Sequence, residues 1–145
     1  MQPGAAQNGP IDPRPEKALN HVAIVVADYD AALEFYTEEL GLRIAYALER
    51  DGEPLLTYLY LNRETFIELL PARGDQQPGI EHIGIEVADI DATVARLREH
   101  GREINDPGMS PGRANFTRFR DDEGTFLEIL QFGPEAQQRQ AMEAW

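Results

Sequence analysis

The chain has 145 residues, which suits one domain, and its 42% apolar and 27% charged side chains are ordinary for a globular protein. It carries 26 acidic against 13 basic side chains, and the net charge of −13 argues against nucleic acid and anionic membranes as partners. There is no cysteine, so any metal ion must be held by histidine and carboxylate. The sequence has no membrane-spanning apolar run and no signal-peptide pattern, and we expect a cytoplasmic protein.

The two ends of the chain differ from its middle. Residues 1–17 contain four prolines and almost no sizeable apolar side chain, which predicts a flexible tail. Gly133-Pro134 ends the last strand pattern, and the Gln- and Ala-rich residues 134–145 predict a helical C-terminal tail. Residues 18–133 are therefore the predicted domain.

The elements of this domain are predicted twice in the order β-α-β-β-β. In the first module, about 18–72, an alternating strand around His21 precedes an amphipathic helix that ends at Gly41, and three strand-like runs follow at 42–50, 55–62 and 65–70. In the second, about 79–133, a strand around His82 precedes a helix that ends at Gly101, with strand-like runs at 102–105 (weak), 114–120 and 125–132.

The two modules are copies of one another. The stretch from His21 to Ala31 matches that from His82 to Ala92 at seven of eleven positions, and Thr65-Phe66-Ile67-Glu68 aligns with Thr125-Phe126-Leu127-Glu128. Each histidine faces away from the apolar alternate residues of its strand. Each glutamate stands in the middle of an apolar strand, where burial is costly unless a cation neutralises it. Two such glutamates, equivalent by duplication, predict a shared cation.

These residues resemble the vicinal oxygen chelate superfamily, which includes glyoxalase I, methylmalonyl-CoA epimerase, extradiol dioxygenases and bleomycin resistance proteins. The resemblance covers about 19–132 and depends on five stretches: the His21 opening, Asp28 to Gly41, Phe66 to Leu69, the His82 opening, and Arg120 to Glu128. It implies an α+β fold in which two tandem βαβββ modules form a cup-shaped mixed sheet, with helices on the convex side. The family's four metal-ligand positions fall on His21, Glu68, His82 and Glu128.

The function implied is that of a divalent-metal-dependent, glyoxalase-like lyase or isomerase, which transfers a proton next to a carbonyl through a metal-bound enediolate. Glu128 is the first candidate catalytic base and Glu68 the second. Two imidazoles and two carboxylates neutralise one divalent ion per site and leave two of six positions open, and Ni, Co, Zn, Mn and Fe all suit such a set. The resemblance further implies a small-molecule carbonyl substrate and a homodimer.

Two other functions are alternatives at this point. An Fe(II) extradiol-type dioxygenase would use His21, His82 and Glu128 and needs three open positions, one of which Glu68 would block. A non-catalytic small-molecule binding or resistance protein would hold a ligand against the aromatic side chains of the cup.

The sequence also limits the choice of substrate. Val25 and Ala72 stand where glutathione-dependent members usually have Arg and Asn, so a glutathione adduct lacks its expected anchors. The sequence leaves three points undecided: the substrate, the metal, and whether the site lies within one chain or across a dimer.

Overall fold

A computed structural model describes residues 16–145. The elements are β1 Lys17–Val26, α1 Tyr29–Glu34, β2 Ile44–Arg50, β3 Glu53–Tyr60, β4 Phe66–Pro71, β5 Gly79–Val87, α2 Ile90–Glu99, β6 Gly108–Met109, β7 Asn115–Arg120, β8 Phe126–Gln131 and α3 Gln137–Glu143. The tail expected over 1–17 lies outside the described residues except at its end, where Lys17 begins β1.

All eight strands form one curled mixed sheet in the order β2-β3-β4-β1-β5-β8-β7-β6. Strand β1 is parallel to β4, and the equivalent β5 is parallel to β8. The antiparallel pair β1–β5 is the one strand pairing within residues 16–145 that joins the two modules. The predicted α+β architecture of two βαβββ modules is confirmed.

The two module helices begin in the same way because the duplicated Asp-x-Asp motif caps both. Asp28 accepts a hydrogen bond from Ala31 N at 3.0 Å, and Asp89 accepts one from Ala92 N at 3.0 Å. They end differently. Helix α1 continues as a π-helical turn, Phe35–Glu39, which the apolar spacing did not predict, whereas α2 is α-helical throughout.

The weak strand predicted over 102–105 is wrong. These residues have no strand pairing, and the edge strand is instead β6, which pairs Gly108 with Phe116 and Met109 with Asn115. The carbonyl of Asn105 accepts a hydrogen bond from the Thr117 hydroxyl at 3.0 Å, so a side chain satisfies it in place of a backbone ladder. Pro107 then delays pairing because it has no N–H to donate.

The C-terminal helix α3 packs on the first module. Ala141 and Met142 are buried against an aromatic cluster of β3 and β4, which comprises Tyr58, Tyr60 and Phe66. Trp145 packs on the Tyr60 ring with centroids 4.9 Å apart, and the Arg43 guanidinium lies 4.6 Å from the Trp145 ring centroid. The last residues of the chain therefore cover the wall of the cup that the first module builds.

Candidate metal centre

The pairing of the four central strands positions the site. In one row across the sheet, Glu68 of β4 lies beside Ala23 of β1, and Ala23 lies beside His82 of β5. In the next row, His21 of β1 lies beside Gly84 of β5, and Gly84 lies beside Glu128 of β8. Each row thus has a small residue between a histidine and a glutamate. Ala23 and Gly84 therefore separate the four predicted ligand residues in these two rows.

The four predicted side chains meet on the concave face of one chain, and all are buried. His21 Nε2 lies 3.1 Å from His82 Nε2 and 3.4 Å from Glu128 Oε1. Glu68 approaches from the opposite flank, with Oε2 4.0 Å from His21 Nε2 and Oε1 3.9 Å from His82 Nε2. His21, Glu68 and His82 each offer a ligand atom within 4.8 Å of the others. All four side chains belong to one chain, two from each module.

Each imidazole has a partner on its outer nitrogen. His21 Nδ1 lies 2.7 Å from Asn20 Oδ1, and His82 Nδ1 lies 2.9 Å from Glu81 Oε1. Both partners are oxygen acceptors, so each Nδ1 carries the proton and donates it. With Nδ1 engaged in this way, a neutral imidazole presents its Nε2 lone pair to the other ring, an arrangement that a cation would stabilise.

The donor set fits a divalent metal ion. Two ligand nitrogens at bond lengths of about 2.1 Å and an angle near 90° are separated by about 3 Å, which matches the observed spacing of the two Nε2 atoms. Burial, followed by the neighbouring His82 and Arg118, lowers the pKa of His21 well below its usual value, so this imidazole is neutral. A neutral imidazole is the form that binds metal.

Gly84 is a site residue that the sequence interpretation did not identify. A methyl group at this position would lie 2.1 Å from His21 Cε1 and 2.6 Å from His21 Nε2, so only glycine leaves room for the ring. The sequence contains a pattern that could have identified Gly84, because both modules have a small residue two positions after the histidine, Ala23 in the first and Gly84 in the second.

The two glutamates have different partners at equivalent register positions. Tyr58 of β3 lies beside Glu68, and Arg118 of β7 lies beside Glu128. Tyr58 hydrogen-bonds to Glu68, whereas Arg118 Nε donates to Glu128 Oε2 at 2.8 Å. Burial raises the pKa of Glu68 to about 8 despite the Tyr58 hydrogen bond. The two equivalent carboxylates therefore differ in their partner, which is a neutral tyrosine hydroxyl at Glu68 and a charged guanidinium at Glu128.

A cavity of about 290 Å³ opens onto these carboxylates. Its walls combine the two glutamates with apolar side chains of the strands, among them Leu56, Leu70 and Leu130. Helix α3 adds Gln138 to the lining, and Arg73 and Arg118 are its basic side chains. The volume is at the lower end of the usual range for ligand pockets, which indicates a small ligand or the reactive end of a larger one.

The fold and the site together define a class of protein: a duplicated βαβββ cup with one histidine and one glutamate from each copy on its concave face. The chain belongs to the Glyoxalase/Bleomycin resistance protein/Dioxygenase superfamily, whose family model matches residues 18–129. The resemblance inferred from the sequence is confirmed.

Relatives with assigned activities are similar over most of the chain. The ethylmalonyl-CoA/methylmalonyl-CoA epimerase of Cereibacter sphaeroides is 34% identical over 129 residues, which span 78% of this chain and 96% of the relative. A probable lactoylglutathione lyase of Synechocystis is 30% identical over 123 residues, which span 78% of this chain and 94% of the relative. The crystal structure of methylmalonyl-CoA epimerase from Mycobacterium tuberculosis superposes with a TM-score of 0.70 at 25% identity, over 81% of this chain and 89% of that one. The family therefore contains enzymes of more than one reaction type.

Proposed function

We propose that the protein is a divalent-metal-dependent isomerase or lyase that moves a proton on a carbon next to a carbonyl. The observation that carries the proposal is the pair of histidine Nε2 atoms, 3.1 Å apart, with a buried carboxylate from each module beside them. The epimerase and lyase relatives support the same reaction types.

The residues that would hold the ion are His21, Glu68, His82 and Glu128, and Ni, Co, Zn, Mn and Fe all suit them. When bound, such an ion polarises a carbonyl oxygen and stabilises the negative charge that develops there as a proton leaves the neighbouring carbon. Asn20 and Glu81 fix the orientation of the two imidazoles from behind.

Glu128 is the first candidate for the proton-accepting base. Its Oε1 lies 3.4 Å from His21 Nε2, and its Oε2 accepts a hydrogen bond from Arg118 Nε at 2.8 Å. Glu68, which lies on the other side of the two histidines, is the second candidate. Both carboxylates line the cavity, so one substrate can contact both.

Hydrogen exchange with solvent tests this proposal. Metal-loaded protein in deuterated buffer should exchange the acidic C–H of a suitable carbonyl compound without consuming oxygen, as measured by proton NMR over a panel of such compounds. Glu128→Gln should abolish exchange while it retains part of the metal, because an amide can coordinate but is a very poor base. The matched control is Glu123→Gln, which alters an exposed glutamate and should exchange at the parent rate.

The same experiment distinguishes the alternative functions. Oxygen uptake with a catechol would support the dioxygenase reading. Ligand binding with no exchange on any compound of the panel would refute the enzyme proposal and favour a non-catalytic binding protein.

We also propose that the protein is a homodimer. Several large apolar side chains are exposed in the single chain, among them Leu19, Phe35, Leu40, Ile44 and Ile80. Contact with a second copy would bury such side chains. Analytical ultracentrifugation should give the mass of two chains, and a monomer at micromolar concentration would refute the proposal.

The cellular location stays a prediction of the sequence. Among residues 16–145, no helix is both long and apolar enough to cross a membrane.

A further inference from the structure

The two glutamates of the centre occupy equivalent places but have unequal neighbours. At its register position on β3, Glu68 lies beside Tyr58, a neutral donor, whereas Glu128 lies beside Arg118 of β7, a cation. Arg118 Nε donates a hydrogen bond to Glu128 Oε2 at 2.8 Å. Because the two modules are copies of one another, the first module is an internal reference for what Arg118 adds to the second.

The Arg118 side chain is held in place from several sides. Its guanidinium carbon lies 5.3 Å from the Phe116 ring centroid and 5.7 Å from the Phe126 ring centroid. Two cation–π contacts and a charge-assisted hydrogen bond thus restrain the side chain, although 42% of it is exposed. Arg118 also lines the cavity that opens onto Glu128. The guanidinium is therefore a fixed part of the site and not a mobile surface charge.

Glu128 lies between this guanidinium and the two imidazoles. Its Oε1 is 3.4 Å from His21 Nε2, and its Oε2 is 3.7 Å from His82 Nε2. Glu68 is 4.0 and 3.9 Å from the same two nitrogens, and among residues 16–145 these histidines are the only basic side chains within 4.0 Å of its oxygens. Glu128 alone of the two carboxylates therefore borders both an arginine and the place where the predicted ligands converge.

The hydrogen bond from Arg118 weakens the bond that Glu128 can form with a divalent ion. A carboxylate oxygen that accepts a hydrogen bond from a guanidinium shares its negative charge with that donor, and such charge-assisted bonds are about twice as strong as neutral ones. Tyr58 offers Glu68 only the neutral form of this contact. A guanidinium also repels a nearby ion directly, but this second effect does not depend on Glu128, and an experiment can separate the two.

We infer that Arg118 is a positioning residue that competes with the metal ion for Glu128 and so makes it the weaker of the two carboxylate ligands. If Glu128 leaves the ion, Arg118 remains as its hydrogen-bond donor, so the buried carboxylate keeps a partner. The inference depends on the proposed function in one respect. A base must be free of the ion before it can take a proton, and Arg118 favours Glu128 over Glu68 for that role.

Metal affinity tests the inference without any substrate. Metal-free protein is titrated with Ni²⁺ by isothermal calorimetry, and the parent is compared with Arg118→Met, which keeps the side-chain length but removes the charge and the donor. We expect Arg118→Met to bind Ni²⁺ about 10-fold more tightly, as is usual for one charge-assisted hydrogen bond. The matched control is Arg120→Met, which removes an arginine of the same strand that donates to the Gly124 carbonyl, and it should bind Ni²⁺ as the parent does.

A double-mutant cycle assigns the gain to Glu128. Glu128→Ala retains the other three predicted ligands, and Arg118→Met is introduced into this variant as well as into the parent. The gain in Ni²⁺ affinity should be at least about threefold larger when Glu128 is present. Equal gains in the two backgrounds would overturn the inference, because the guanidinium would then act on the ion by charge alone. Weaker or unchanged Ni²⁺ binding by Arg118→Met would overturn it too, because Arg118 would then orient Glu128 as a ligand.

Hydrogen exchange is the second readout, and it separates this inference from the proposed function. With a carbonyl compound that the metal-loaded parent exchanges, Arg118→Met should lower kcat about 10-fold and change KM less, because the ion holds Glu128 more firmly. Tighter metal binding with an unchanged kcat would overturn the role of Arg118 in selecting the base. If the parent exchanges no compound, the proposed function fails, and the affinity cycle still decides whether Arg118 competes for Glu128. No Ni²⁺ binding by the parent would overturn the inference together with the metal centre.

Discussion

Substitution of Gly84 by alanine is the sharpest test of the centre, because the change is one methyl group against the His21 ring. The new carbon would lie 2.1 Å from His21 Cε1, whereas ordinary contact begins at 3.4 Å, so the ring must retreat by about 1.3 Å. His21 is fully buried and hydrogen-bonded to Asn20, so the ring cannot move without disturbing its neighbours.

Two magnitudes follow from this displacement. Overpacking of a buried site costs about 1–3 kcal/mol of folding free energy. A displacement of about 1.3 Å is more than half of a metal–nitrogen bond length of about 2.1 Å, so His21 would leave the coordination sphere. Removal of a residue that only hydrogen-bonds to a metal ligand weakens metal binding about 10- to 100-fold. Because Gly84→Ala displaces a ligand itself, we expect it to weaken metal binding by at least about 100-fold.

The assay is isothermal titration of the metal-free protein with Zn²⁺ or Ni²⁺, with urea unfolding to measure stability in parallel. Gly108→Ala is the matched control, since a methyl group there meets nothing within 4 Å. If folded Gly84→Ala binds metal as tightly as this control, His21 is not a ligand and the geometric reasoning fails.

Three further predictions concern metal, pH and the C-terminus. Chelation should lower the melting temperature, because a metal ion that binds only the folded state stabilises it, and equal melting temperatures with and without chelator would contradict a buried site. Glu68→Gln should bind metal better than Glu68→Ala, because an amide oxygen can still coordinate the ion. In the metal-free protein, burial raises the pKa of Glu68 from 4.5 to about 8, so the folded state binds an extra proton between these values. The contribution of Glu68 to stability should be fully present below pH 4.5 and decrease by about 3–5 kcal/mol towards pH 8. Metal-loaded protein should lack this contribution, which the difference between metal-free and metal-loaded samples in pH-dependent urea unfolding measures. Trp145→Ala should cost about 1–2 kcal/mol in the same assay, because Trp145 packs on Tyr60 and Arg43, and an unchanged midpoint would show that the C-terminus is frayed.

Much of the centre could be predicted because duplication marks it twice. A lone histidine in a strand is most often structural, but His21 and His82 recur in matching contexts, as do Glu68 and Glu128. The repeat therefore predicted both the modules and the side chains that the structure brings together.

What the sequence missed depends on strand register and on distant contacts. Tyr58 and Arg118 lie beside the two glutamates only because β3 and β7 pair as they do, and no local pattern states that register. Gln138 reaches the cavity because α3 crosses onto the first module, a long-range packing choice that composition cannot specify. The edge strand of the second module was predicted at 102–105 instead of at β6 for a similar reason. Residues 102–105 have weak strand propensity, and the hydrogen bond from the Thr117 hydroxyl to the Asn105 carbonyl is a long-range contact that the local sequence does not show.

The antiparallel seam between β1 and β5 has a consequence for how such a protein can be taken apart. Each module contributes half of the ligand set, and only this seam aligns the halves through strand pairing. A chain cut within residues 72–78, between β4 and β5, would yield two fragments that each expose a hydrogen-bonding edge and an incomplete set of donors. Recombination of the two fragments should then depend on metal. If β5 pairs with β1 one residue out of register, His82 turns to the other face of the sheet and the ion loses half of its ligands. Metal binding by the recombined fragments would therefore show that β1 and β5 have paired in the correct register.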